Sequence, residues 1–372
     1  MTKKNFDTFI DFGKSGIRVG SFFKGTEKFQ NDFEIKITDK QIESSSNRNE
    51  IIEKLILDIE KKNNEYLEEV YLMIDDLNVL PVSITIFKKN EEHVSDNDQF
   101  KSIIDDVNYH IKKNYVEYEI IHMVLKNFVL DEKKYFELPK NLSYKKLAVN
   151  FLFILYPKNF LESFRKIFAK QNVTIKKFIF SSYSKSLFYL DKIDEKKKII
   201  FVDIGYKKTC AFFFRNSKVE GFKVLPIGGN HITKDISQIL KIDHENAEEI
   251  KLNLDSLNNI KDYKYEDIEL IKKIIFSRIE ELLEISTLFK ETNNSLDDIK
   301  LVFFGNGSKI LDNKFKSNIT FNHNIDLLDE NYMDTTSSGL NLIRNENKEM
   351  INKIDTKQIK KGFFEKFFNL FS

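Results

Sequence analysis

Two stretches of the chain pair an aspartate with a glycine at the end of an apolar run. TFIDFGKSGIRVGSFF (residues 8–23) and IFVDIGYKKTCAFFF (residues 200–214) share one pattern: apolar strand, Asp, apolar residue, Gly, polar turn, apolar strand. Each reads as a β-hairpin whose glycine lets the backbone turn beside the carboxylate. Further glycine turns follow at Gly228-Gly229 and at Gly305-Asn306-Gly307-Ser308. Such turns present backbone N–H groups to phosphate, and a helix N-terminus beside them adds a favourable dipole. Each turn taken singly is equally a plain chain reversal. Taken together, with an aspartate ending a strand in both echoed hairpins, they point to a nucleotide, and Asp11 and Asp203 form a carboxylate pair suited to hydrated Mg²⁺.

The elements that must hold these turns are legible around them. Apolar residues at 51, 52, 55, 56 and 59 predict an amphipathic helix, and EEVYLMID (68–75) a strand after it. Residues 79–157 differ in character: VSITIF, YEIIHMVLKNFVL and LAVNFLFIL read as strands, and 95–114 as a helix, together a small inserted α+β subdomain. A helix over 158–171 and the strand IKKFIF lead to the second hairpin. Beyond it come a helix from about Thr233 to Leu240, a polar segment over 241–265, and a long helix from Tyr265 to Lys290 with apolar residues at 268, 271, 274, 275, 279, 282 and 283. IKLVFF then reads as a strand leading into the Gly-Asn-Gly turn and a helix. The chain therefore divides into a first half-domain (1–78, resumed over 158–198) interrupted by the insertion (79–157), and a second half-domain (199–340).

Residues 341–359 are polar and read as a linker. The last residues, 360–372 (KKGFFEKFFNLFS), place Phe363, Phe364, Phe367, Phe368 and Phe371 on one helical face, with Lys366 opposite and Lys360 and Lys361 at the start. A helix this short cannot span a bilayer. It suits an anionic membrane surface, with its aromatic side buried at the interface; the alternative is a terminal helix docked on its own domain.

Composition bounds the rest. Lys+Arg 59 against Asp+Glu 58 leaves a formal net charge of +1, so charge gives nucleic-acid binding no support. Cys210 is the single cysteine, which excludes an intramolecular disulfide and fits a reducing compartment. It reads as a small buried hydrophobe, and His231 as a hydrogen-bonding residue at a helix start.

With these residues in view, the sequence resembles the bacterial cell division protein FtsA family of the actin-like ATPase superfamily. The most specific local match is PIGGNHITKDI (226–236), and the likeness runs from Phe9 to the terminal helix. The resemblance implies an α/β fold of duplicated actin-like (ribonuclease H-like) domains, with 79–157 as the family's extra subdomain. It implies ATP and Mg²⁺ as ligands. Asp11, Gly13, Lys14 and Ser15 would form the first phosphate loop, and Asp203, Gly205, Lys207 and Thr209 the second. Gly228, Gly229 and Asn230 would enter a nucleotide-side helix. Arg278 would lie on the helix preceding the adenosine-side motif Gly305, Asn306, Gly307 and Ser308. Asp11 and Asp203 would be the metal-side carboxylates.

The sequence departs from the family's pattern at Lys14, where a small hydroxyl residue is usual, and at Tyr206-Lys207-Lys208, where a glycine-rich turn is usual. The expectation is nucleotide binding with slow or absent hydrolysis, and no residue stands out as a general base. By resemblance the partners are the FtsZ C-terminal tail, further copies of the chain in a filament, later division proteins, and the cytoplasmic face of the inner membrane at the division site. A nucleotide-free adaptor of division or pilus assembly, and a sugar-kinase-type enzyme, are the alternatives.

Overall fold

The computed structural model describes residues 5–37, 45–89, 97–137, 144–193, 198–253, 265–287, 299–311 and 324–355. The chain forms two compact units, residues 1–192 with 332–372 and residues 193–331.

The first unit is built on a five-stranded sheet in the order β3-β2-β1-β4-β9. Its strands are β1 (Phe6–Phe12), β2 (Gly16–Phe23), β3 (Phe29–Lys36), β4 (Glu69–Ile74) and β9 (Thr174–Phe180). The first three form an antiparallel meander, and β4 and β9 continue it in parallel. Strands β1 and β4 are almost wholly buried, which explains why they read as near-continuous apolar runs and not as alternating ones. Helix α1 (Ser45–Asn63) buries Ile52, Leu55, Ile56 and Ile59, as the spacing predicts.

The expected insertion is a four-stranded antiparallel sheet, β5-β8-β6-β7. Its strands are β5 (Leu80–Lys89), β6 (Tyr118–Leu130), β7 (Lys133–Tyr135) and β8 (Lys146–Pro157), and it is covered by helix α2 (Asn97–Asn114). Ile103, Ile104, Val107 and Ile111 of α2 share a core with Phe151, Phe153 and Leu155 of β8. Three polar contacts fix the insertion to the main sheet. The Arg165 guanidinium of helix α3 (Lys158–Lys170) forks onto Glu119 at 2.6 and 3.0 Å, Tyr156 Oη accepts the Asp76 N–H at 3.2 Å, and His122 Nε2 accepts the Phe180 N–H at 2.9 Å.

That last bond sets a pH dependence. Burial holds the His122 imidazole well below its ordinary pKa of 6.5, with Lys177 pushing the same way. Above pH 6.5 the ring is neutral in both folded and unfolded chains, and its contribution is fully present. As pH falls below 6.5 the unfolded chain takes up a proton that the folded one refuses, so stability drops by up to about 1.4 kcal/mol per pH unit. Urea unfolding between pH 7.5 and 5 is expected to show this acid-side loss, and His122→Gln, which keeps an acceptor for Phe180, to remove this residue's share of the slope.

Two further helices complete the described part of the first unit, α4 (Ser181–Leu190) directly after β9, and a long C-terminal helix, α8. Helix α8 spans Tyr332–Asp355 and packs Leu340 and Ile343 against Phe9, Tyr71 and Met73. This corrects the sequence reading in two respects. The chain returns to the first unit at Tyr332, where the second half-domain was expected to run to 340, and the stretch read as a linker from 341 is helical up to Asp355. The terminal segment 360–372, with its membrane-face residues Phe363, Phe364, Lys366, Phe367, Phe368 and Phe371, lies outside the described residues. Among the described residues no helix is long and apolar enough to cross a membrane.

The second unit repeats the first unit's topology. Its sheet runs β12-β11-β10-β13-β14, again a three-stranded antiparallel meander extended by two parallel strands. The strands are β10 (Lys198–Ile204), β11 (Thr209–Arg215), β12 (Lys218–Leu225), β13 (Lys300–Phe304) and β14 (Asn324–Leu327). Register is repeated as well. Phe12 pairs with Ile17 in the first hairpin and Ile204 with Thr209 in the second, so Asp11 and Asp203 hold the same place. Among the described residues three helices pack on this sheet, α5 (Gly229–Leu240), α6 (His244–Leu252) and α7 (Tyr265–Thr287), contributing Ile232, Ile236, Ile250, Ile271, Ile279 and Leu283 to one core.

Candidate functional site

In the second unit the glycines converge. Helix α5 starts at Gly229, four residues before the expected Thr233, because the β10–β11 turn captures its first donors. Gly229 N–H donates to Gly205 O at 2.9 Å, Asn230 N–H to Tyr206 O at 2.8 Å, and Gly228 N–H to His231 Nδ1 at 3.1 Å. Gly228 itself is extended, so no unusual dihedral demands glycine there. Proximity does: a Cβ at 228 would lie 2.6 Å from Gly205 O, 2.7 Å from Lys208 N and 2.7 Å from Tyr206 O. The helix start and the turn are thus one welded piece, and these helix donors serve the turn's carbonyls.

Gly305 follows β13 in the left-handed region, at φ 92°, and a Cβ there would fall 2.4 Å from Asp203 Oδ1. Residues Asn306–Ile310 form a short 3₁₀ turn where a longer helix was expected, closed by Ser308, whose N–H and Oγ both donate to Gly305 O. A Cβ at Gly307 would likewise fall 2.6 Å from Ile204 Cγ2 and 2.8 Å from Ile204 O. Gly229 is the exception. A Cβ there would meet Gly307 Cα and Lys251 Nζ at 3.7 Å and Gly205 O at 3.8 Å, ordinary contact distances, so this buried position has room for a methyl group.

Lys251, on α6, is the residue that the sequence reading missed. It is 5% exposed, and its ammonium donates to Thr233 Oγ1 at 2.8 Å, Glu248 Oε2 at 2.7 Å and Gly229 O at 3.2 Å. Burial pulls its pKa below the ordinary lysine value, and Glu248 offsets part of that pull. The signal for α6 was present in Asp243, whose carboxylate caps the helix by accepting the Asn246 N–H at 2.8 Å, followed by the apolar pair Ala247 and Ile250.

Other expected site residues face protein groups. Asn230 Oδ1 meets His244 Nε2 at 2.7 Å. Arg278 is held by Asp235 at 2.6 and 2.9 Å and by Glu281, an ion pair that ties α7 to α5. Thr209 Oγ1 donates to Ile227 O at 2.7 Å. Lys208, neighbour of the expected Lys207, is buried and donates to Cys210 Sγ at 3.0 Å. Cys210 is buried, as its reading as a small hydrophobe requires.

The first unit's turn is also closed on itself. Gly13 N–H donates to Gly16 O at 3.1 Å, Ser15 O accepts the Ile37 N–H at 3.3 Å, and Lys14 Nζ pairs with Asp76 at 2.9 Å. Asp11 is buried, and each of its oxygens has a partner: Arg18 Nη1 donates to Oδ2 at 3.0 Å and Ser181 Oγ to Oδ1 at 2.6 Å. Burial pushes the Asp11 carboxyl above the ordinary range, against the opposing pull of Arg18 and Ser181.

Comparison with known proteins now bears on this geometry. Residues 200–345 match the family model described as Cell division protein FtsA. Over this stretch the chain is similar to FtsA. One curated relative, Cell division protein FtsA of Helicobacter pylori, is 29% identical over 140 residues, 37% of this chain and 28% of the relative's length. Among solved structures, the PilM-PilN type IV pilus biogenesis complex aligns at TM-score 0.61 and 14% identity, covering 89% of both chains. MreB 5 of Spiroplasma citri bound to AMPPNP aligns at TM-score 0.51 and 10% identity, covering 93% of this chain and 98% of that one. At such identities the structures establish the actin-like fold. The FtsA match falls mainly on the second unit and takes in Asp203, Gly205, Gly228, Gly229, Lys251 and the Gly305–Ser308 turn.

The ligands implied by an FtsA-like chain can be tested against these residues. A nucleotide finds its candidate partners in the second unit, where Gly229, Gly307 and the Lys251 ammonium lie together. Mg²⁺ fits the first unit poorly. The Asp11 side chain is 4% exposed and already hydrogen-bonded at both oxygens, and among the described residues no group of three or more His, Cys, Asp or Glu gathers as a metal site would.

Proposed function

We propose that this protein is an actin-like division protein that binds ATP, self-associates, and ties FtsZ filaments through their C-terminal tails to the cytoplasmic face of the inner membrane at the division site. The observation that carries this reading is the FtsA match over 200–345, which coincides with the glycine knot of the second unit. ATP is bound chiefly through Asp203, Gly229, Lys251 and the Gly305–Ser308 turn, and hydrolysis is slow or absent. The aromatic face of residues 360–372 attaches the chain to anionic lipid, and self-association sums many weak attachments into a firm one. The inserted subdomain contacts neighbouring copies or later division proteins.

A second reading, a nucleotide-independent adaptor of division or pilus assembly, is favoured by one specific observation: the donors at the start of α5 are engaged by the adjoining turn. Calorimetric titration of ATP into the full chain separates the two. The division reading expects binding that Asp203→Asn weakens by at least about tenfold, or roughly 1.4 kcal/mol. No binding at millimolar ATP would favour the adaptor. Flotation with anionic vesicles tests the anchor: the full chain floats, and the chain lacking 360–372 stays behind. A truncated chain that still floats would sink the tether.

A further inference from the structure

We infer that Arg18 is the standing counter-ion of Asp11, so that the first Asp-x-Gly hairpin performs its part without a divalent cation. The placement follows from the strand register. Asp11 on β1 pairs directly with Arg18 on β2, and the guanidinium is gripped from the other side by β3, with Nε donating to Glu34 Oε1 at 3.0 Å. The second Asp11 oxygen is taken by Ser181, the first residue of α4, whose neighbour Ser182 binds Asp75 at 2.8 Å. In the duplicated hairpin the residue facing Asp203 across the strands is Cys210, so this register position holds no arginine there.

The chemistry of the two cations explains the choice. Magnesium requires a near-octahedral shell of oxygens at about 2.0–2.1 Å and keeps several waters, so it needs a wet, accessible carboxylate. Arginine is always charged and meets a carboxylate by directed N–H bonds without a hydration shell. The Asp11 side chain is 4% exposed and Arg18's is 11% exposed, which suits the second arrangement. Admitting a metal at Asp11 would mean pulling Arg18 away and leaving a guanidinium buried with Glu34 as its remaining acidic partner among the contacts described above. The Asp11 end of this hairpin is therefore closed to a divalent cation.

The test has two arms, and only the second rests on ATP binding. In the first, thermal unfolding of the full chain, Asp11→Asn, Arg18→Met and the double variant is followed in EDTA and in Mg²⁺. A buried pair predicts that each single change lowers Tm by about 4 °C or more and that the double lowers it by less than the sum, alike in both buffers. Asp11→Asn raising Tm in EDTA, as removal of an unneutralised carboxylate would, overturns the inference. Should Arg18→Met not fold, Arg18→Lys replaces it, with the coupling to Asp11 reduced but present. In the second arm, ATP affinity is compared in EDTA and in Mg²⁺. Asp11→Asn is expected to change it by factors that agree within about twofold in the two buffers. A loss confined to Mg²⁺ would restore Asp11 as a metal-side residue. If ATP does not bind at all, the proposed function fails, and the unfolding arm still decides the role of Arg18.

Discussion

Gly228→Ala is expected to destabilise the chain by about 3 kcal/mol, whereas Gly229→Ala, one residue on, leaves stability unchanged or slightly raised. The difference comes from surroundings and not from residue type. At 228 a methyl group would meet three backbone atoms at 2.6–2.7 Å, and these belong to the β10–β11 turn, which cannot step aside without breaking the Gly229 and Asn230 hydrogen bonds. At 229 its nearest contacts are ordinary ones at 3.7 Å, and alanine is the better helix former at the start of α5. Function should divide the other way. Gly229 lies against Lys251 and Gly307, so a methyl group there crowds the cation that the proposed function assigns to ATP, and the variant is expected to keep its fold and lose ATP affinity. Urea midpoints and ATP titrations on the two variants check both halves, and equal midpoints would show that the welded turn is not what requires glycine at 228.

That contrast also marks how far the sequence could be read. The two hairpins, the glycine turns and the long helix α7 were legible because strand ends and 3.6-residue periodicity are local signals. Helix α4 was not. Its sequence, SSYSKSLFYL, carries four serines and a lysine that are all buried, and so shows no polar face. What makes them fit is remote in sequence: Asp11 for Ser181, Asp75 for Ser182 and Ser338 for Ser184. The same non-locality hid the state of the candidate site. Arg278 looked like a ligand-facing cation but is held by Asp235, forty-three positions away along the chain. Asp11 looked like a metal-side carboxylate, though its partner Arg18 was in plain sight seven residues on, because only strand register brings the two side chains together. Helix α8 was missed for a related reason. Its polar sequence suggested a tether, yet Leu340 and Ile343 anchor it to the first unit's core.

Lys251→Met is expected to lower ATP affinity by more than about tenfold while changing stability by less than about 1 kcal/mol. A buried ammonium is normally an expensive group to place in a core, and here the net effect of its surroundings is unfavourable to the charge, since burial outweighs Glu248 and depresses the pKa. The sign follows: between the depressed pKa and the ordinary value of 10.5 the unfolded chain holds a proton that the folded chain sheds, so this lysine makes stability rise with pH in that window. At neutral pH it contributes little to holding the fold. Its removal leaves Glu248, whose side chain is 28% exposed, to be solvated, and methionine takes the place of the lysine stem. This cation lies beside Gly229 and Gly307 with its ammonium held by Thr233, Glu248 and Gly229 O, and on the proposed function it exchanges one of these partners for the nucleotide's phosphates. Denaturation and calorimetry on Lys251→Met and Glu248→Gln decide the matter. A loss of stability with ATP affinity intact would make Lys251 a strut between α5 and α6. The reverse would make it the ligand-facing cation of the second unit.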